Sequence, residues 1–198
     1  MRILSMIFFT IILLNVTGCE KKEKEKHIHA SKYTSQDNIQ QETNVSVESH
    51  FMLHDRKNRS LNLVLTADSI RVQGKKAPII LLNFIDLSST EHIHQMAALS
   101  KLQKKYSSQL IVISMDISHV KKASIPYTLL DKYHITHFVS TDTTNQKIVQ
   151  KIYQALHNTD NNTLPYTVIY KNQKYISDFE GDTPIEMIRY DIQQLLEK

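Results

Sequence analysis

The sequence predicts an α/β domain: a central mixed sheet flanked by helices. Three observations carry this. Ile79–Ile85 (IILLNFI) and Leu110–Ile117 (LIVISMDI) are unbroken apolar runs of strand length, the pattern of strands covered on both faces. Between them, Ile93, Met96, Leu99 or Ser100, and Leu102 recur at helical spacing, giving a strand–helix–strand unit with parallel pairing. Nearer the C-terminus, Tyr166–Tyr170 and Tyr175–Phe179 flank the polar connection Lys171-Asn172-Gln173-Lys174, so antiparallel strands join the same sheet.

The elements follow in order. Phe51-Met52-Leu53 and Leu61–Leu65 read as an N-terminal β-hairpin extension. Ala77-Pro78 opens the first buried strand. Ser88-Ser89-Thr90-Glu91 then places Glu three residues after Ser88, a capping box, and the helix runs to about Tyr106. Ile125-Pro126-Tyr127 breaks the chain, and Tyr127–Tyr133 is a short helix. Lys147–His157 is a further helix burying Ile148 or Val149, Ile152 and Leu156. Asp160-Asn161-Asn162 marks a turn. Pro184 opens a last helix whose stripe is Ile185, Ile188, Ile192 and Leu195. The economical order of the domain is β-α-β-α-β-β-α after the hairpin.

Composition bounds the function. The 198 residues, 41% apolar and 22% charged, suit one domain of roughly 150 residues with a short extra segment. A net charge of +4 is small and dispersed, which argues against a nucleic-acid partner. The three glycines fall at no phosphate-loop or dinucleotide spacing. One cysteine excludes an intramolecular disulfide framework and any four-cysteine metal site.

That cysteine has a telling neighbourhood. Met1-Arg2 precedes Ile3–Val16, an apolar run of about 14 residues, too short to span a bilayer and right for a signal peptide. Val16-Thr17-Gly18-Cys19 then resembles the lipobox of bacterial lipoproteins. The resemblance implies a signal peptide over 1–18, lipidation of Cys19, and a membrane partner through the N-terminal anchor. It also implies a periplasm-facing place in the bacterial cell envelope. Residues 19–47 read as the lipidated cysteine and a flexible polar linker, with His27 and His29 part of the solvated chain, and residues 48–198 as the domain. On a coil estimate, about 25 such residues lift the domain some 25–30 Å off the bilayer.

The domain resembles the thioredoxin superfamily, specifically the membrane-tethered TlpA/ResA-type thiol-disulfide oxidoreductases. Three stretches carry this: FMLHDRKNRSL (51–61), Ile80–Met96, and Thr163-Leu164-Pro165-Tyr166-Thr167-Val168-Ile169-Tyr170 with Asn172-Gln173-Lys174 and Phe179-Glu180-Gly181. The resemblance implies a cis-proline at Pro165 and a Cys-x-x-Cys site at the start of the first helix. Aligned on Asn83-Phe84 and Met96, those two cysteines fall on Ser89 and His92, and the usual aromatic neighbours become Ile85 and Ser88. Exchange requires a thiolate attacking a disulfide sulfur, which neither residue supplies. The expectation is therefore a redox-inactive, non-catalytic module that binds an envelope protein or extended peptide. Ser88, Ser89, Glu91, His92 and Pro165 would outline the former active surface, with no cofactor. The alternative is an oxidoreductase-family protein acting with a partner's cysteines or a bound metal.

Two other chemistries compete. Ser89, Glu91 and His92 invite a hydrolase reading, since positions 89 and 92 share a helix face, but no oxyanion donor pair is recognisable and a helix start favours Ser and Glu for capping. His92 and His94 point too far apart on one helix to share an ion. His134 and His137 could share one if 133–139 were helical, with Asp131 or His119 completing the set. Surface histidines are the favoured reading, with no metal.

Overall fold

A computed structural model describes residues 47–118, 127–156 and 163–197, which fall in one compact unit. The signal peptide, lipidation site and linker expected over 1–46, with Cys19, His27 and His29, lie outside these residues, as do His119, Pro126 and the turn at 160–162. None of the helices described is long and apolar enough to cross a membrane.

The N-terminal sheet holds β1 (Ser49–His54), β2 (Ser60–Leu65) and β3 (Ile70–Val72), all antiparallel. The expected hairpin is therefore a three-stranded sheet. Its first turn is closed by the Asp55 carboxylate, which accepts from the Lys57 and Arg59 amides at 2.8 Å each and from Arg59 Nε at 2.5 Å. Burial raises the pKa of this carboxyl, but the hydrogen bonds and charge of Arg59 outweigh it and hold the group below its ordinary value.

The main sheet has the order β6-β5-β4-β7-β8, with β4 (Ile79–Ile85) parallel to β5 (Leu110–Asp116), and β5 parallel to β6 (Phe138–Ser140). β7 (Tyr166–Lys171) runs antiparallel to β4 and to β8 (Lys174–Glu180). Asn172 and Gln173, both at positive φ, make the two-residue β7–β8 turn. Helices α1 (Thr90–Lys105), α2 (Tyr127–Lys132), α3 (Asn145–Leu156) and α4 (Ile185–Glu197) surround this sheet.

Every residue of β4 is buried, as its unbroken apolar run requires. Its side chains alternate between two cores. Ile80, Leu82 and Phe84 meet Ile148, Val149 and Ile152 of α3 and the leucines of β2. Ile79 and Leu81 meet Leu99 and Leu102 of α1 with Ile188 and Ile192 of α4. Each such side chain contributes about 1.5–3 kcal/mol by leaving water. In α3, Tyr153 is buried and Leu156 only half-buried, a small correction to the expected stripe.

Candidate functional site

The site begins where β4 runs out. After Ile85, the Asp86 carboxylate accepts from the Ser88 amide at 2.8 Å and the Ser88 hydroxyl at 2.6 Å, which folds 86–88 into a tight turn. Ser88 is thereby drawn into the turn, and the helix starts one residue later than expected. Ser89 is the N-cap: its backbone is extended, and its Oγ accepts from the His92 amide at 3.4 Å. The same hydroxyl donates to Glu91 Oε2 at 2.9 Å. The backbone amide of Glu91 and then the Ser89 hydroxyl hold this exposed carboxyl below its ordinary pKa.

His92 is 8% exposed. Its Nδ1 lies 3.0 Å from the Asp86 amide nitrogen and 3.1 Å from the Asp86 carbonyl oxygen, so the ring is held against the Asp86 backbone. Ser89 Oγ thus meets the backbone of His92 and not its imidazole. The Ser–His pairing needed for a hydrolase is not formed.

The Leu164-Pro165 bond is cis. Pairing of Phe84 with Tyr166 places Pro165 at the end of the sheet where β4 leads into Ser88 and Ser89. Pro165 O accepts from the Gly181 amide at 2.9 Å, and Gly181 turns there at φ +70°, a conformation glycine adopts without strain. The structure therefore gathers Ser88, Ser89, Glu91 and His92 into one turn and sets Pro165 at the same sheet end. Beside them, a cleft of about 350 Å³ opens between α1 and the start of α4, with Glu91 and Asp182 on its wall.

The histidine pair read as a possible metal site comes apart. α2 stops at Lys132, His134 is exposed at φ +54°, and His137 is buried. Asp131 forms a two-pronged ion pair with Arg56. Among the described residues, no three His, Cys, Asp or Glu side chains gather as metal ligands.

His137 belongs to something the sequence reading missed. Its Nδ1 lies 2.6 Å from Ser100 Oγ on α1, and its Nε2 lies 2.8 Å from Ser114 Oγ on β5. Ser114 Oγ accepts from Asn83 Nδ2 at 3.3 Å, and Thr167 Oγ1 donates to Asn83 Oδ1 at 3.0 Å. This polar chain crosses β7, β4 and β5 on the α1 side of the sheet. Burial drives the His137 pKa down to about 3, with the Arg59 charge adding to the shift. Asn83 and Ser114, polar residues flanked by apolar ones within their strands, were its signal, because a buried polar group needs a partner.

No protein-family model matches the sequence, and no curated protein matches it. Solved structures do match the fold. A thiol:disulfide interchange protein of the thioredoxin family from Chlorobium tepidum is 9% identical, with a TM-score of 0.52 over 75% of this chain and 91% of that one. A thiol-disulfide oxidoreductase from Bacteroides fragilis is 16% identical, with a TM-score of 0.50 over 74% and 97%. The exposed lipoprotein thioredoxin Etrx1 from Streptococcus pneumoniae is 12% identical, with a TM-score of 0.50 over 76% and 100%. At these identities the likeness speaks for architecture alone: the chain has a thioredoxin-like fold.

Proposed function

We propose that this chain is a lipid-anchored protein of the bacterial cell envelope whose thioredoxin-like domain binds an extended protein segment and carries out no dithiol chemistry. The observation that supports this reading is the occupancy of the α1 start. Ser89 and His92 stand there, and their polar atoms serve the helix cap and the Asp86 backbone. The sequence holds one cysteine, Cys19, far from this turn in the chain and within the lipobox-like Val16–Cys19. A mixed disulfide has no thiolate to form it and no second thiol to resolve it.

Binding uses what the turn retains. An extended segment can pair with the backbone just ahead of Pro165, at Thr163 and Leu164, before β7 meets β4 and β8, and reach the cleft walled by Glu91 and Asp182. Those carboxylates favour a segment carrying Lys or Arg. The likeness to an exposed lipoprotein thioredoxin is consistent with the envelope address.

A disulfide-reduction assay with purified chain tests the loss of chemistry. The expected rate equals the buffer blank with and without added divalent metal. Turnover above the blank would instead support an oxidoreductase acting with a partner's cysteines or with a metal.

A further inference from the structure

Charge is unevenly divided between the two ends of the main sheet. Among the described residues, Asp86, Glu91 and Asp182 stand at the end that holds Ser89 and Pro165, with Asp116 buried beneath them; Lys121 and Lys122, which follow β5 in the sequence, lie outside the described residues. The opposite end, where β4 and β5 begin, is basic. Toward it, Lys101, Lys105 and Arg189 line a cleft of about 340 Å³ along α1 and α4, which adjoins the Glu91–Asp182 cleft through Ala98 and Ile185 and runs from there to the last turn of α1. Lys75 and Lys76 line a second cleft, of about 410 Å³, with Ser107 and Ser108 from the α1–β5 turn.

These cations are exposed, and none forms an ion pair with a carboxylate among the described residues. Cations of one sign converging without counter-charge leave a positive field. Tyr106 lies in this field. Lys105 Nζ sits 5.0 Å from its ring centroid, and hydrogen bonding from Lys105, first among several causes, lowers the phenol pKa.

The tether leaves from this same end. Val47 shares a groove with Ser69, Tyr170 and Tyr175. Ser69 bridges to Lys174, and the Asn172 amide of the adjoining turn donates to Pro78 O at 2.7 Å, next to Lys76. The first described residue after the linker is therefore at the end of the sheet away from Ser89, in a groove it shares with Asp68.

We propose that this basic end docks on anionic phospholipid headgroups and thereby holds the Ser89–His92 turn away from the bilayer. The inference rests on the anchored reading above. The polar linker read from the sequence of 20–47 would let the domain reach the surface, and the field acts only within about 8–10 Å of it. An anionic surface attracts the unpaired cations and repels the exposed Glu91 and Asp182, which favours the orientation that turns Ser89–His92 outward. The phosphate of the headgroup is the recognised chemistry, and the bilayer is its source.

The test uses the chain purified from bacterial membranes and reconstituted into vesicles of neutral phosphatidylcholine, or of the same lipid with phosphatidylglycerol. Lysine acetylation is followed by mass spectrometry, with a Lys101→Gln/Lys105→Gln/Arg189→Gln variant in parallel. Acetylation of Lys75, Lys76 and Lys104 is expected to slow several-fold with phosphatidylglycerol, while Lys147 on α3 is unchanged. Removing three cations is expected to weaken the docked state on the order of a hundredfold and abolish the slowing. Equal rates in both vesicles, or slowing that survives in the variant, would overturn the proposal. So would equal slowing by inorganic phosphate in neutral vesicles, which would make the ligand a soluble anion. Flotation with neutral vesicles reports the anchor separately. A chain that floats only with phosphatidylglycerol, in a variant-sensitive way, would refute the anchor and keep the basic surface.

Discussion

His137 Nε2 lies 2.8 Å from Ser114 Oγ in the core, and this contact joins the loop before β6 to the centre of the sheet. Asn83 and Thr167 extend the chain toward β7, and Ser100 carries it to α1. Every member is buried, so each hydrogen bond replaces water that cannot enter.

Replacing His137 with Phe adds some volume and leaves the Ser100 and Ser114 hydroxyls without their ring partners. The expected cost is about 2–4 kcal/mol, read as a lower urea midpoint with an unchanged slope. Ser114→Ala, which also takes the acceptor from Asn83 Nδ2, should cost less in the His137→Phe background than in the wild type, because the shared hydrogen bond is already gone. Equal costs in the two backgrounds would contradict the network.

Acid should weaken the fold through the same residue. Folded His137 takes up a proton only near pH 3, whereas the unfolded chain does so near pH 6.5. The unfolded state therefore binds the extra proton as pH falls below 6.5, and stability drops from there toward pH 3. The slope approaches about 1.4 kcal/mol per pH unit from this group. Urea midpoints at pH 7, 6 and 5 measure it, and His137→Phe should flatten the trend. Identical slopes in both proteins would place the proton elsewhere.

The cap assignment is separable from its neighbour. Ser89→Ala removes the N-cap acceptor and should cost about 1 kcal/mol, whereas Ser89→Asp should retain most of the stability. Ser88→Ala, in the turn held by Asp86, should cost less than Ser89→Ala. Thermal melts of the three variants check the order.

The alignment behind the candidate site has its own check. Residues 89 and 92 are three apart at a helix start, a spacing that suits a short disulfide. Ser89→Cys with His92→Cys should yield two thiols that disappear on mild oxidation and return with reductant. Thiols that stay reactive under oxidant would count against placing the family's cysteine positions at 89 and 92.

Much of this fold was legible because it is written locally. The apolar runs of β4 and β5, the spacing of Ile93, Met96 and Leu102, and the stripe Ile188–Ile192 each declare their element without reference to the rest. β3 and β6 were not legible. Each has three residues, and each exists through partners far along the chain: Leu63–Leu65 for β3, Ile113–Met115 for β6. A run that short carries no period to read. The turn at Ser88–His92 was placed within one residue, because the side chain that shifts the cap, Asp86, precedes the capping motif. His137 was taken for a surface residue, since its serines are 37 and 23 positions away and only the folded sheet brings them to it.

The central claim is that binding runs through the Ser89–His92 turn without redox chemistry. It is tested most directly by capture from envelope extract with a photo-crosslinker at exposed Ser88, comparing the wild type with a Ser89→Glu/His92→Glu variant. The account expects a protein captured by the wild type and lost from the variant, with non-reducing gels showing no disulfide-linked adduct. Equal capture by both, or an adduct released only by reductant, would contradict it.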